Sequence, residues 1–99
     1  MIRQVIFRPL AVDDIANAAT WYEAQAPGLG LALTDEIIRA VRRAQEEPDL
    51  FRVLRRRDGM RRVLTNRFPY RVFFTVSGDT LHVHAVLHGA QHDRHWRRR

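Results

Sequence analysis

The spacing of apolar residues along this chain changes at Pro48. Before it they recur every three or four positions, and after it every second position, so helices are expected in the first half and strands in the second. A short strand precedes the helices: Ile2, Val5 and Phe7 are apolar in IRQVIF, and Pro9 ends it. Ile15, Ala18 or Ala19, Tyr22 and Ala26 then share one face at helical spacing, predicting an amphipathic helix to about Gln25 that Asp13 or Asp14 can cap and Pro27-Gly28 breaks. Leu33, Ile37, Val41 and Ala44 form the stripe of a second helix from near Leu29 to about Glu47, supported by Leu29 and Ile38. Asp35 and Glu36 lie one turn before Arg39 and Arg43 and are expected to pair with them on the surface. The short link between the two helices reads as an antiparallel hairpin.

Beyond Pro48, FRVLR from Phe51 and RRVLTN from Arg61 read as short strands around an Asp58-Gly59 turn. The next strand, Tyr70 to Val76, alternates Tyr70, Val72, Phe74 and Val76 against Arg71, Phe73 and Thr75. Ser77-Gly78-Asp79 turns into Thr80 to His88, where Leu81, Val83, Ala85 and Leu87 are expected opposite His82, His84, Val86 and His88. The predicted fold is α+β: one domain over residues 1–99, with one sheet face against the helical hairpin, the other partly open, and a basic tail from Gly89.

Charge sharpens this picture. Residues 1–50 hold five arginines against eight carboxylates, net −3, whereas residues 51–99 hold twelve against three, net +9. All seventeen basic residues are arginine, whose planar fork suits phosphates and carboxylates. The second half is therefore expected to attract nucleic acid or an acidic protein. Cysteine is absent, which excludes disulfide and thiolate chemistry and suits a cytoplasmic location. No apolar stretch approaches the roughly 20 residues that span a bilayer, so no membrane partner is expected.

Arg62, Arg67, Arg71 and His88 fall on adjacent strands or their ends. If they converge, a ribonuclease is chemically conceivable: one group takes the 2′-hydroxyl proton while arginines stabilise the attacked phosphate. His82 and His84 lack a third metal ligand and read as solvent-facing, as do His92 and His95, so neither a metal nor a cofactor is expected. Arg55-Arg56-Arg57 and Arg97-Arg98-Arg99 read either as phosphate contacts or as solvated runs. Tyr70, Phe73 and Phe74 suit base stacking or a sheet core, and Trp96 either closes the sheet or anchors a partner. Trp21 and Tyr22, adjacent on one helix, cannot both point inward, which leaves a contact patch on the hairpin. Gly-rich phosphate loops, GxSxG, HExxH and paired-carboxylate signatures are all missing.

WYEAQAPGLGLALTDEIIRAV from Trp21, RVLTNRFPYRVFFTVSGDTLHVHAVLHGA from Arg62 and the closing DRHWRRR resemble the RelE/ParE superfamily of type II toxin–antitoxin toxins, closer to the ParE-like, plasmid-stabilisation branch. The resemblance rests on Tyr22, Gln25 and Pro27-Gly28-Leu29-Gly30, on Arg67-Phe68-Pro69-Tyr70, and on Ala85-Val86-x-His88 followed by Trp96-x-x-Arg99. It implies a helical hairpin on a small, mainly antiparallel sheet. It also implies a growth inhibitor without cofactor, neutralised by a cognate acidic or partly disordered antitoxin in a hetero-oligomer.

For the ParE-like branch the implied target is DNA gyrase, bound without nuclease chemistry by Arg62, Arg67, Arg71, His88, Arg94, Trp96, Arg97, Arg98 and Arg99. The resemblance likewise implies an antitoxin surface at Trp21, Tyr22, Leu33, Ile37, Phe73 and Trp96. The RelE-like alternative is messenger RNA cleavage on the ribosome through Arg62, Arg67 and His88, but no tyrosine follows His88. Gln91 stands where the ParE-like branch usually has arginine, with Arg94 close by, so an attenuated toxin that keeps only antitoxin binding is a third reading.

Overall fold

In the computed structural model, which describes residues Met1–Arg99, strand β1 (Gln4–Phe7) leads directly into helix α1 (Pro9–Gln25). Pro9 does more than stop the strand. It occupies the first helical position, where a missing N–H costs nothing and the fixed φ suits the helix. The helix therefore starts upstream of Asp13 and Asp14, and neither caps it; Arg8 holds the cap position without a side-chain hydrogen bond. Helix α2 (Leu29–Glu46) returns antiparallel after Gly28, whose φ of 89° favours glycine. The Glu23 carboxylate accepts hydrogen bonds from the Gly28 and Gly30 N–H groups, satisfying free donors at the start of α2 from the end of α1. At Gly30 a Cβ would lie 2.7 Å from the Ala19 carbonyl oxygen, so glycine permits the close approach of the two helices.

A 3-10 turn (Pro48–Leu50) leads to β2 (Val53–Arg55), β3 (Met60–Leu64), β4 (Tyr70–Ser77) and β5 (Thr80–His88). The sheet order is β1-β5-β4-β3-β2, with β1 parallel to β5 and the other pairs antiparallel. One irregularity reorganises its faces. Phe73 pairs with Ala85 but Phe74 pairs with Val83, which leaves His84 as an extra residue in β5. Such a bulge transfers the residues beyond it to the opposite face. Leu81, Val83 and Val86 consequently pack toward the helices, whereas Ala85 and Leu87 join Phe73 on the other face. The strict alternation expected across Thr80 to His88 is corrected at this point.

Two cores result. The larger one holds Leu33, Ile37, Ala40, Val41 and Ala44 of α2 against Val63, Val72, Phe74, Leu81 and Val83 of the sheet. The smaller one comprises Met60, Phe73, Ala85, Leu87 and Trp96 on the face away from the hairpin. The tail, with its short helix α3 (Arg94–Arg97), crosses that face and covers it with Trp96. The indole is 6% exposed and stacks on Phe73, the ring centroids being 5.2 Å apart. The second face expected to be partly open is thus largely closed by the chain's own tail.

Candidate functional site

The loop between β3 and β4 carries Arg67, and buried polar groups hold its shape. The Thr65 hydroxyl accepts a hydrogen bond from the Tyr70 N–H and donates to the Phe68 carbonyl. From α2, the buried Glu36 carboxylate accepts hydrogen bonds from the Arg67 and Phe68 N–H groups. These bonds satisfy backbone donors that a loop packed on the core would otherwise leave unpaired. Glu36 is therefore not the surface partner of Arg39 or Arg43 that its helical spacing suggested. Arg43 instead donates to the Leu64 carbonyl. With its backbone fixed, Arg67 points outward, its guanidinium 5.0 Å from the Phe68 ring centroid.

Sheet register separates the other candidates. Arg62 pairs with Phe73 and Arg71 with Leu87, so both arginines lie on the face of the smaller core and border a cleft of about 340 Å³ with Leu64 and Pro69. His88 pairs with Tyr70, one residue out of phase, and so lies on the helix side, its ring 5.4 Å from that of Tyr70. His88 belongs to an aromatic group with Tyr70, Phe68 and Tyr22, in which Tyr22 meets Phe68 edge-on at 5.0 Å. Burial, with Tyr22 beside it, raises the pKa of the Tyr70 hydroxyl. Arg62 and Arg71 thus lie on one face of the sheet and the His88 ring on the other, while Arg67 projects from the β3–β4 loop.

Arg71 is also committed internally. Its side chain is 12% exposed, donates to Asp93 at 2.6 Å and to the Gln91 carbonyl at 2.5 Å, and lies over Phe73. That hydrogen bond is the main cause holding the Asp93 carboxyl below its ordinary range. Gln91 completes the clip by accepting from the His88 N–H at 2.6 Å. Arg99 makes a two-pronged contact with Asp14 at 2.7 and 3.2 Å and donates to the His84 carbonyl, while Asp14 also accepts from the Val86 N–H. Asp14, expected as a helix cap, thus ties the tail to both α1 and the bulged strand.

A family model described as the ParE toxin of the type II toxin–antitoxin system, parDE, matches residues 5–93. The chain belongs to the ParE toxin family. Among solved structures, one described as the chromosomal ParDE TA system from P. aeruginosa superposes with a TM-score of 0.75 at 18% identity, covering 89% of this chain and 96% of that one. The fold is α+β, as the element order implied, and its five-stranded sheet is mixed, antiparallel except for the β1–β5 pair. No curated protein matches the chain in sequence.

In this ParE-family toxin several expected contact residues are internal. Leu33, Ile37 and Phe73 have no accessible surface; the first two fill the larger core and Phe73 the smaller, beneath Trp96 of the tail. Trp96 is likewise covered, and Arg71 and Arg99 hold carboxylates of the toxin itself. The available residues are Arg67, Arg94, Arg97 and Arg98, together with half-buried Arg62, His88 and Tyr22 and with Trp21, which is 59% exposed. The hairpin also presents an apolar groove of about 390 Å³ lined by Phe7, Val12, Ile15, Ala19 and Ile38. Ile15 and Ile38, read from the sequence with the core stripes, are only half-buried and border this groove instead. No helix is long and apolar enough to cross a membrane.

Proposed function

We propose that this toxin inhibits growth by binding and poisoning DNA gyrase in the cytoplasm, without cutting nucleic acid itself, and that a cognate acidic or partly disordered antitoxin neutralises it. The reading is supported by membership of the ParE family and, above all, by the division of Arg62 and Arg71 from His88 across the sheet. General acid–base cleavage requires the proton-transfer group and the phosphate-stabilising donors to reach one reacting centre. A binding surface has no such requirement. Arg62 and Arg67, neither of which has an internal acceptor, would supply charge-assisted contacts to gyrase.

For the antitoxin, the hairpin groove and exposed Trp21 suit an amphipathic helix whose apolar side enters the groove. Its carboxylates would face the arginines of the second half. The test is a supercoiling reaction with purified gyrase and antitoxin-free toxin, scored for relaxed plasmid and for broken DNA released by detergent. Inhibition with accumulation of broken DNA, reversed by the antitoxin, is expected. Unaffected gyrase together with tight antitoxin binding would instead identify an attenuated toxin.

A further inference from the structure

The two arginine runs, remote in sequence, form one surface. Arg55 donates to the Arg97 carbonyl at 2.9 Å across 42 residues, and the Arg55 and Arg97 guanidiniums lie 5.5 and 5.6 Å from the Trp96 ring centroid. The β2–β3 turn is thereby fastened to α3 through the indole, which itself rests on Phe73. The carboxylates within these segments are already engaged: Asp58 by Arg55 at 2.7 Å and Asp93 by Arg71 at 2.6 Å. Arg56, Arg57, Arg94, Arg97 and Arg98 are exposed and have no carboxylate partner. Internal pairing has thus removed the local negative charge and left a positive patch on a rigid base.

We infer that this joined patch binds the sugar–phosphate backbone of duplex DNA, independently of base sequence. Several outward guanidiniums without neighbouring carboxylates provide the donors that phosphate oxygens accept. A single strand would additionally be held by aromatic side chains on which bases stack. Here the aromatic of the patch, Trp96, is buried beneath Arg55 and Arg97, and Trp21, the exposed aromatic, belongs to the hairpin. Duplex DNA needs no such platform, because its backbone charge is presented outward. DNA contact goes beyond the gyrase reading and can stand or fall separately from it, since it requires no enzyme.

The experiment is fluorescence anisotropy of antitoxin-free toxin with a labelled duplex of arbitrary sequence and with the matching single strand, repeated across salt concentrations. If four of the five guanidiniums meet phosphates, the logarithmic salt slope is about −3.6, and affinity falls about 150-fold between roughly 50 and 200 mM salt. Arg56→Ala with Arg57→Ala, and separately Arg94→Ala with Arg98→Ala, should each make the slope shallower by about 1.8. These side chains make no internal hydrogen bond, so the variants keep the fold, and matching melting curves check that. Arg39→Ala with Arg42→Ala, an equal charge change on α2, should leave duplex binding unaltered. A flat salt response, equal loss in the α2 control, or tighter binding of the single strand overturns the inference. Preference for poly-glutamate over duplex DNA in competition does so too, by assigning the patch to an acidic protein.

Discussion

Replacing Trp96 by alanine distinguishes a closing element of the fold from an anchor awaiting a partner. The indole is nearly covered and stacks against Phe73 over a core of Met60, Ala85 and Leu87. An aromatic side chain buries about 150–250 Å², which at about 25 cal/mol per Å² corresponds to about 4–6 kcal/mol before any relaxation. Measured truncations of buried Phe or Trp to alanine cluster at about 3–5 kcal/mol, so about 4 kcal/mol is expected here. That is a large share of the roughly 5–15 kcal/mol that stabilises an ordinary domain, and the melting temperature should fall by about 15–30 °C.

Urea unfolding followed by circular dichroism measures the loss, and Trp96→Phe, which keeps a stacking ring, should recover more than half of it. The same variants titrated calorimetrically with the antitoxin report whether binding changes once folding is allowed for. A loss below about 1 kcal/mol in Trp96→Ala, with antitoxin affinity abolished, would refute the packing role and make the indole an anchor.

Three further outcomes are expected. Glu36→Ala leaves the Arg67 and Phe68 N–H groups without their acceptor and should cost about 1–3 kcal/mol, with faster amide exchange confined to the β3–β4 loop in hydrogen-exchange measurements. The double change Arg62→Ala with Arg67→Ala should alter stability by no more than about 1 kcal/mol, since neither side chain has a carboxylate partner and Arg67 loses only its contact with the Phe68 ring. The same change should weaken gyrase inhibition by at least about 100-fold if two charge-assisted contacts of about 1.5–3 kcal/mol each are lost. His84 is held below the ordinary histidine pKa by burial first and by His82 and Arg8 next, so between its folded pKa and about 6.5 the unfolded chain binds the extra proton. Its contribution to stability is complete above about pH 6.5 and declines as pH falls toward the folded pKa; thermal melts should show this decline, and His84→Gln should remove it.

Most elements were legible because each half of the chain keeps one period. The β5 boundaries, Thr80 to His88, follow directly from alternation between two turns. Its faces do not, because LHVHAVLH has apolar residues available on either side of the extra His84, and one inserted residue leaves no mark on composition. The placement of His88 on the opposite face from Arg62 and Arg71, on which the functional reading depends, was therefore hidden in the sequence. Glu36 was concealed differently: its spacing to Arg39 matches an exposed ion pair, while its real partners are backbone amides about thirty positions away. Pro9 was ambiguous in kind, since the residue that ends a strand also suits the first turn of a helix. Trp96 lies in a segment that looks like a solvated basic tail, and only the sheet register reveals the Phe73 ring waiting beneath it.

The gyrase account is tested most directly by one reaction that contains both candidate targets. Gyrase with supercoiled plasmid and a translating extract are combined with antitoxin-free toxin, and DNA breaks and messenger RNA 5′ ends are mapped from the same sample. The account predicts broken, relaxed plasmid beside intact messenger RNA. Cleaved messenger RNA with undamaged plasmid, lost on His88→Ala, would contradict it and require His88 and the arginines to act together despite lying on opposite faces of the sheet.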